Sequence, residues 1–417
     1  MTQPDAQIAD SPQSNSVVQC THRGLFVVFH EIAPTIFESQ IVVHVHDMRA
    51  IGVEMEVWVF ALTQKDYELS CERAPILAAR HGVGIRVFRA SRFGLILSDA
   101  ANTWRLWRAL RKASFPPGFI HARTDYSAFI CGLVRPFFGF ELIWDCRGDT
   151  VAEHRLSLSN PSLLRRVLVT LRCMVMRVQR TAVRKLCTRA IFVSDALRSV
   201  SVGASSGMPF EIIPCVASSR LFHFSSELRN SVRNKLEIAP GSKVLIYSGS
   251  ISFFQCFDES VALFRRVLAS DPGAVFLIVT PNSEAAHHAL DGIPKQNLRV
   301  LSATIADVNG FLNAADFGIL LRRRDAINRV ASPVKFAEYC LAGLPVIMTD
   351  AVEQSVQIGR ELGNALVTEL GSLPEFLAPL SAGDREDLCR RAALRLGREA
   401  AEESYRRTYG VSSQKES

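Results

Sequence analysis

The sequence predicts an α/β protein made of two doubly wound parallel sheets that face each other across a cleft. Three observations predict it. Short apolar runs alternate with segments of helical length and period along most of the chain, the pattern of a parallel sheet covered on both faces. The alternation pauses near Ala217 to Phe222 and restarts at "KVLIYSG". The 417 residues, 48% apolar and 21% charged, suffice for two cores of ordinary composition.

Taken in order, the first half reads as strand "GLFVVF", a helix from about Phe37 to Ala50, strand "EMEVWVFAL", a helix over Asp66 to His81 and strand "GIRVFRA". A helix near Ser98 to Lys112, strand "GFIHAR", helix Tyr126 to Phe137 and strand "FELIWD" follow. Two basic helical segments then precede strand "AIFVS", a short helix after Asp195 and strand "FEIIP". The second half runs through strand "KVLIYSG", helix Asp258 to Ala269, strand "AVFLIVT", helix Glu284 to Leu290, strand "LRVLSA", a helix through Phe311 and strand "FGILL". A helix within "NRVASPVKFAEYCLAGLPVIMTD", strands "LPVIMT" and "ALVTEL", and a helical Asp384 to Tyr409 complete it. The expected division is a disordered tail over 1–20, a first domain over 21–217, a second over 218–395, and a closing helix and tail over 396–417. Sheets of this kind bind ligands outside the carboxyl ends of their strands, so the residues there decide function.

No apolar run reaches the roughly 18 residues of a membrane span, and the polar first twenty residues lack the pattern of a signal peptide. The ten cysteines include no CxxC pair, which points to reduced core thiols in a cytoplasmic protein and away from zinc or thiol redox chemistry. The net charge of +7 is unevenly placed. From Arg155 to Ser194 there are nine basic residues and no acidic one. That asymmetry suggests an anionic partner such as lipid headgroups or a phosphorylated substrate. No zinc-finger or aromatic RNA-binding motif supports a nucleic-acid partner.

The stretch from Asn328 to Asp350 carries the chemistry. Ser332 stands where an N-cap belongs and Pro333 at the first helical position, while Gly343 and Pro345 end the helix. A helix N-terminus offers unpaired amides and partial positive charge to phosphate, and Lys335 adds a full charge there. Glu338 lies one turn further on the same face, roughly 9 Å beyond Ser332 at 1.5 Å per residue, the reach from a pyrophosphate to a ribose. A carboxylate suits a ribose diol because it accepts from two neighbouring hydroxyls. The same two residues also fit an exposed ion pair of about 0.2–0.5 kcal/mol.

"SPVKFAEYCLAGLPVI" resembles the donor-binding signature of family 4 glycosyltransferases, retaining enzymes of the GT-B fold with two Rossmann-like domains. "LIYSGS", "FLNAADFGILL", "AIFVSDALRSV" and "IIPCVASSRLF" resemble other segments of that family in the same order, and "HARTDYSAFICGL" and "IWDCRGD" resemble its bacterial polysaccharide-building members. The resemblance implies that Glu338 binds the nucleotide ribose, that Ser332 and Lys335 lie near the diphosphate, and that Gly249 and Ser250 let the backbone approach it. Arg322, Arg323 and Arg324 follow "FGILL", and one of them, Arg322 being the candidate, offers charge to the leaving group. Three departures stand out. Val330 occupies the place of an earlier glutamate, with Asp325 nearby. "APTIFESQ" replaces a Gly-Gly loop. Asp145 and Arg147 stand where many members have a histidine, either facing the cleft or forming a strand-end pair.

The expected activity is transfer of a hexosyl or hexosaminyl group from a nucleotide diphosphosugar to an acceptor hydroxyl, with retention. Asp145, Arg147 and Lys335 are the candidate catalytic residues, and neither Asp145 nor Glu38 is assigned as a nucleophile. No metal and no cofactor is expected, the nucleotide sugar being a co-substrate. The acceptor is expected to be a glycan or lipid-linked glycan of cell-surface polysaccharide synthesis. The basic segments "LLRRVLVTLRCMVMRVQRTAVRKL" and "WRLWRALRK" suggest a peripheral position on the inner face of the cytoplasmic membrane. Alternatives are a non-catalytic glycan-binding protein of the same fold and a nucleotide-sugar 2-epimerase.

Overall fold

The computed structural model describes residues 22–29, 34–92, 95–156, 162–203, 207–251, 255–281, 283–370, 372–374 and 377–411. The tail expected over 1–20 and the first residue of the "APTIFESQ" loop lie outside this set.

Among the described residues, seven parallel strands form the first sheet: β1 (His22–Phe29), β2 (Val53–Ala61), β3 (Ile85–Arg89), β4 (Phe119–Arg123), β5 (Glu141–Cys146), β6 (Arg189–Phe192) and β7 (Phe210–Ile212), in the order β3-β2-β1-β4-β5-β6-β7. Six form the second: β8 (Val244–Ser248), β9 (Val275–Val279), β10 (Leu298–Leu301), β11 (Phe317–Leu320), β12 (Val346–Met348) and β13 (Ala365–Val367), in the order β10-β9-β8-β11-β12-β13. In both, the order reverses beside the first strand, between β1 and β4 and between β8 and β11, which opens a crevice at the carboxyl ends. Successive side chains feed opposite cores. Leu25, Val27 and Phe29 pack on one face of the first sheet, Phe26 and Val28 on the other. Val244 and Ile246 face one core of the second sheet, Leu245 and Tyr247 the other. Burial on both faces is why these strands read as continuous apolar runs.

The chain crosses between domains twice at one place. Ala217 N–H donates to Leu396 O (3.1 Å) and Arg398 N–H to Ala217 O (3.0 Å). The last helix, Glu402–Tyr409, then packs on the first domain, where Tyr405 and Tyr409 join its core.

Candidate functional site

Helix Val334–Leu341 is fixed to the second sheet by one side chain. The Tyr339 hydroxyl accepts from the Ser248 amide at the end of β8 (3.1 Å), and its ring lies where a Cβ on Gly318 of β11 would stand. Lys335, one turn earlier, therefore lies across the loop that follows β8. Its Cε and Nζ fill the space a Cβ on Gly249 would take, and Gly249 has a φ of 141° that L side chains rarely adopt. Close approach by the lysine and the backbone conformation both require glycine there. Ser250 closes the loop, accepting from Gln255 Nε2 through its hydroxyl (2.8 Å) and from the Tyr247 hydroxyl through its carbonyl (2.8 Å).

The three arginines after β11 separate. Arg323 pairs with Glu259, and exposed Arg324 pairs with Asp350 (2.5 Å). Arg322 is buried and meets no carboxylate within ion-pair distance among the described residues. Its Nη1 donates to Leu321 O (2.8 Å) and Gln255 O (3.4 Å), directing it to the Gly249–Gln255 side. Burial lowers the Lys335 ammonium from its ordinary range, Glu338 opposing and Arg322 adding to that shift. Burial likewise raises Glu338, with Lys335 opposing. No ion pair joins Lys335 to Glu338 among the described residues, so the two do not form the surface pair that their spacing also fitted. Glu338 instead borders a small cavity of about 10 Å³ at the domain junction with Gln40, Ser218 and Arg398.

Ser332 does not cap the helix as its position suggested. The helix starts at Val334 with Pro333 as its N-cap and no side-chain cap. The Ser332 hydroxyl accepts from Cys215 N–H of the first domain (2.9 Å). Two residues earlier, Val330 is buried in the first domain's core, and its carbonyl accepts from the Ser194 hydroxyl (2.7 Å). Asp325 is occupied as the N-cap of a short helix, Ala326–Val330, accepting from the amides of Ile327 and Asn328. The segment from Asp325 to Ser332 is thus a bridge onto the first domain, which explains an apolar Val330 there. The short helix escaped the sequence reading, although Asp325 before "AINRV" is a usable cap signal.

Asp145 does not face the cleft. It is fully buried, with Arg147 Nε at 2.7 Å, His121 Nε2 at 3.1 Å and Arg123 Nη1 at 3.6 Å. Burial opposes its charge, but Arg147, His121 and Arg123 together hold the carboxyl well below the usual carboxylate range. The reason is positional. Asp145 lies within β5, where alternate side chains point into a core. The network continues from His121 Nδ1 to the Tyr409 hydroxyl (2.9 Å) and on to His44 Nε2 (3.2 Å). It ties the final helix to the first sheet. Arg147 reaches Cys215 Sγ (3.8 Å) at the domain junction. His121 and His44 were missed by the sequence reading; a histidine amid the apolar residues of "GFIHAR" was the available signal. The structure thus gathers Gly249, Ser250, Arg322 and Lys335 at one strand end, puts Glu338 and Ser332 at the junction, and buries Asp145 in the first domain, linked to the junction through Arg147. Among the described residues no group of three metal-ligating side chains forms.

No family model matches the sequence, and no curated protein does. Solved structures do match. HepE of Anabaena, solved with UDP and glucose, has a TM-score of 0.65 at 15% identity, covering 93% of this chain and 99% of that one. Sucrose-phosphate synthase from Thermosynechococcus elongatus gives 0.62 at 13% identity over 94% and 100%. A glycosyltransferase from Rickettsia africae gives 0.63 at 10% identity over 94% and 99%. The chain has the GT-B fold. At these identities the likeness is one of fold, and the chemistry rests on the residues above.

Proposed function

We propose that the protein is a glycosyltransferase that moves a hexosyl or hexosaminyl group from a nucleotide diphosphosugar to an acceptor hydroxyl, with retention and without a metal. The observation that carries this reading is the cradle at the end of β8, where Lys335 and Arg322, neither paired with a carboxylate, flank a glycine loop. A departing nucleoside diphosphate gathers negative charge in the transition state. Desolvated cations fixed at that point stabilise it more than they stabilise the intact donor. The uncapped first turn of helix Val334–Leu341 adds amides and partial positive charge. Glu338 accepts from the ribose diol, and Arg147 lies at the acceptor side of the junction. Asp145 holds Arg147 in place. The acceptor belongs to cell-surface polysaccharide or lipid-linked glycan synthesis, and the enzyme works on the cytoplasmic side.

Calorimetric screening of nucleotide sugars and their nucleoside diphosphates tests the reading. A bound donor raises the melting temperature with concentration, and release of the diphosphate in the presence of a glycan acceptor demonstrates transfer. A binding protein without turnover is the second reading, favoured by Val330 filling the place of the family's first acid. Donor binding with neither transfer nor hydrolysis would establish it.

A further inference from the structure

Helix Leu163–Leu186 is amphipathic in an inverted sense. Its inward face holds Cys173, Arg180 and Val183, all buried. Arg180 anchors it through Asp125 (2.7 Å) and Asp149 (3.0 Å). The opposite face, which an ordinary surface helix makes polar, carries Leu164, Val167, Leu168, Leu171, Met174 and Val178, each between 49% and 71% exposed. At about 100° per residue these six fall within an arc of roughly 120°. Arg165 and Arg172 border that arc on one side, Arg166, Arg177 and Arg184 on the other. No acidic residue interrupts the sequence from Arg155 to Ser194. An apolar stripe flanked by arginines matches the boundary between acyl chains and anionic headgroups.

A cavity of about 680 Å³ opens beside one of those arginine rows. Arg155, Arg177, Arg180 and Arg184 line it, with Ala326 and Ile327 of the bridging segment across from them. Arg180 is neutralised by its two aspartates, and Arg184 Nε donates to Ser201 O (2.7 Å). Neither Arg155 nor Arg177 meets a carboxylate among the described residues. The cavity therefore presents positive charge between the domains, next to the exposed apolar stripe.

We propose that helix Leu163–Leu186 lies on an anionic bilayer and that this cavity takes the phosphate of a membrane-anchored acceptor. The proposal rests on the glycosyltransferase reading for the word acceptor, but bilayer docking is measured without any donor. The test is flotation of the full chain with vesicles of phosphatidylcholine alone, with added phosphatidylglycerol, or with phosphatidic acid at matched charge. Binding is expected only to the anionic vesicles and is weakened by salt, with a severalfold preference for the phosphomonoester. The variant Leu164→Gln/Leu168→Gln/Leu171→Gln should lose roughly fivefold or more in vesicle affinity per leucine, since about half or more of each side chain is left to bury, with the nucleotide-induced melting shift unchanged. Arg155→Gln/Arg177→Gln should lose about fivefold per charge and the phosphomonoester preference with it. Absence of binding to anionic vesicles at low salt overturns the proposal, as does binding that survives the triple leucine variant. A dimer that the leucine variant disperses, with no vesicle binding, assigns the stripe to a second copy instead. Equal affinity for the two anionic lipids removes the cavity from the proposal. Vesicle binding without any nucleotide shift leaves the docking surface standing and defeats the donor-site reading.

Discussion

Replacing Lys335 with methionine should weaken nucleotide binding without weakening the fold. The methionine keeps most of the aliphatic stem that lies over Gly249 and removes the ammonium. In the free protein that ammonium is desolvated and has no ion-pair partner, so its loss removes an unfavourable burial, and the melting temperature should hold or rise. On the proposed reading, the same ammonium donates to a diphosphate oxygen in the nucleotide complex. Charge-assisted hydrogen bonds are worth about 1.5–3 kcal/mol, which is roughly a tenfold to hundredfold rise in Kd. Because burial lowers the lysine from 10.5, wild-type affinity should decline with rising pH before an ordinary lysine titrates, and the methionine variant should not show that decline. Titration calorimetry with UDP as the probe measures Kd across pH, and differential scanning calorimetry of the free proteins measures stability. The reasoning fails if Lys335→Met binds UDP as tightly as wild type. It fails equally if the variant loses several degrees without nucleotide, which would make Lys335 a structural residue.

Glu338→Ala should weaken UDP binding about tenfold yet leave a 2′,3′-dideoxy analogue unaffected; equal losses for both ligands would place the ribose elsewhere. Val330→Glu restores the acid of the resembling family but buries a charge in the first domain's core. It should cost about 3 kcal/mol or more and about 6 °C or more in melting temperature, so a gain in turnover with unchanged stability would refute the bridging role. Burial lowers both His44 and His121 below 6.5. The unfolded chain therefore binds more protons below that pH, and stability present above about 6.5 is lost as the pH falls through the folded-state values. Thermal melts from neutral to acid pH should show this loss, smaller in His44→Gln, and an acid-independent melting temperature would count against the buried network.

The sequence by itself determined the alternation of strand and helix. Strands buried on both faces are continuous apolar runs, and the helices between them carry a 3.6-residue period, so both signals are local. It also marked the stretch around Lys335 and Glu338, because Pro333, Gly343 and Pro345 punctuate it and the order of neighbouring motifs resembles one family. Other features depended on partners far along the chain. That Arg322 rather than Arg323 or Arg324 turns inward is decided by Glu259 and Asp350, which capture the other two. The role of Val330 became legible only when the bridge onto Ser194 and Cys215 was seen. Asp145 looked like a cleft residue because it ends an apolar run, but His121, Arg123 and Arg147 neutralise it in the interior. Helix Leu163–Leu186 was legible as basic and amphipathic, which suggested a membrane surface, but that most of its leucines turn outward was decided only by packing. Periodicity shows that a helix has an apolar face; only packing decides whether that face meets the core, because burial is a property of neighbours that the local sequence does not contain.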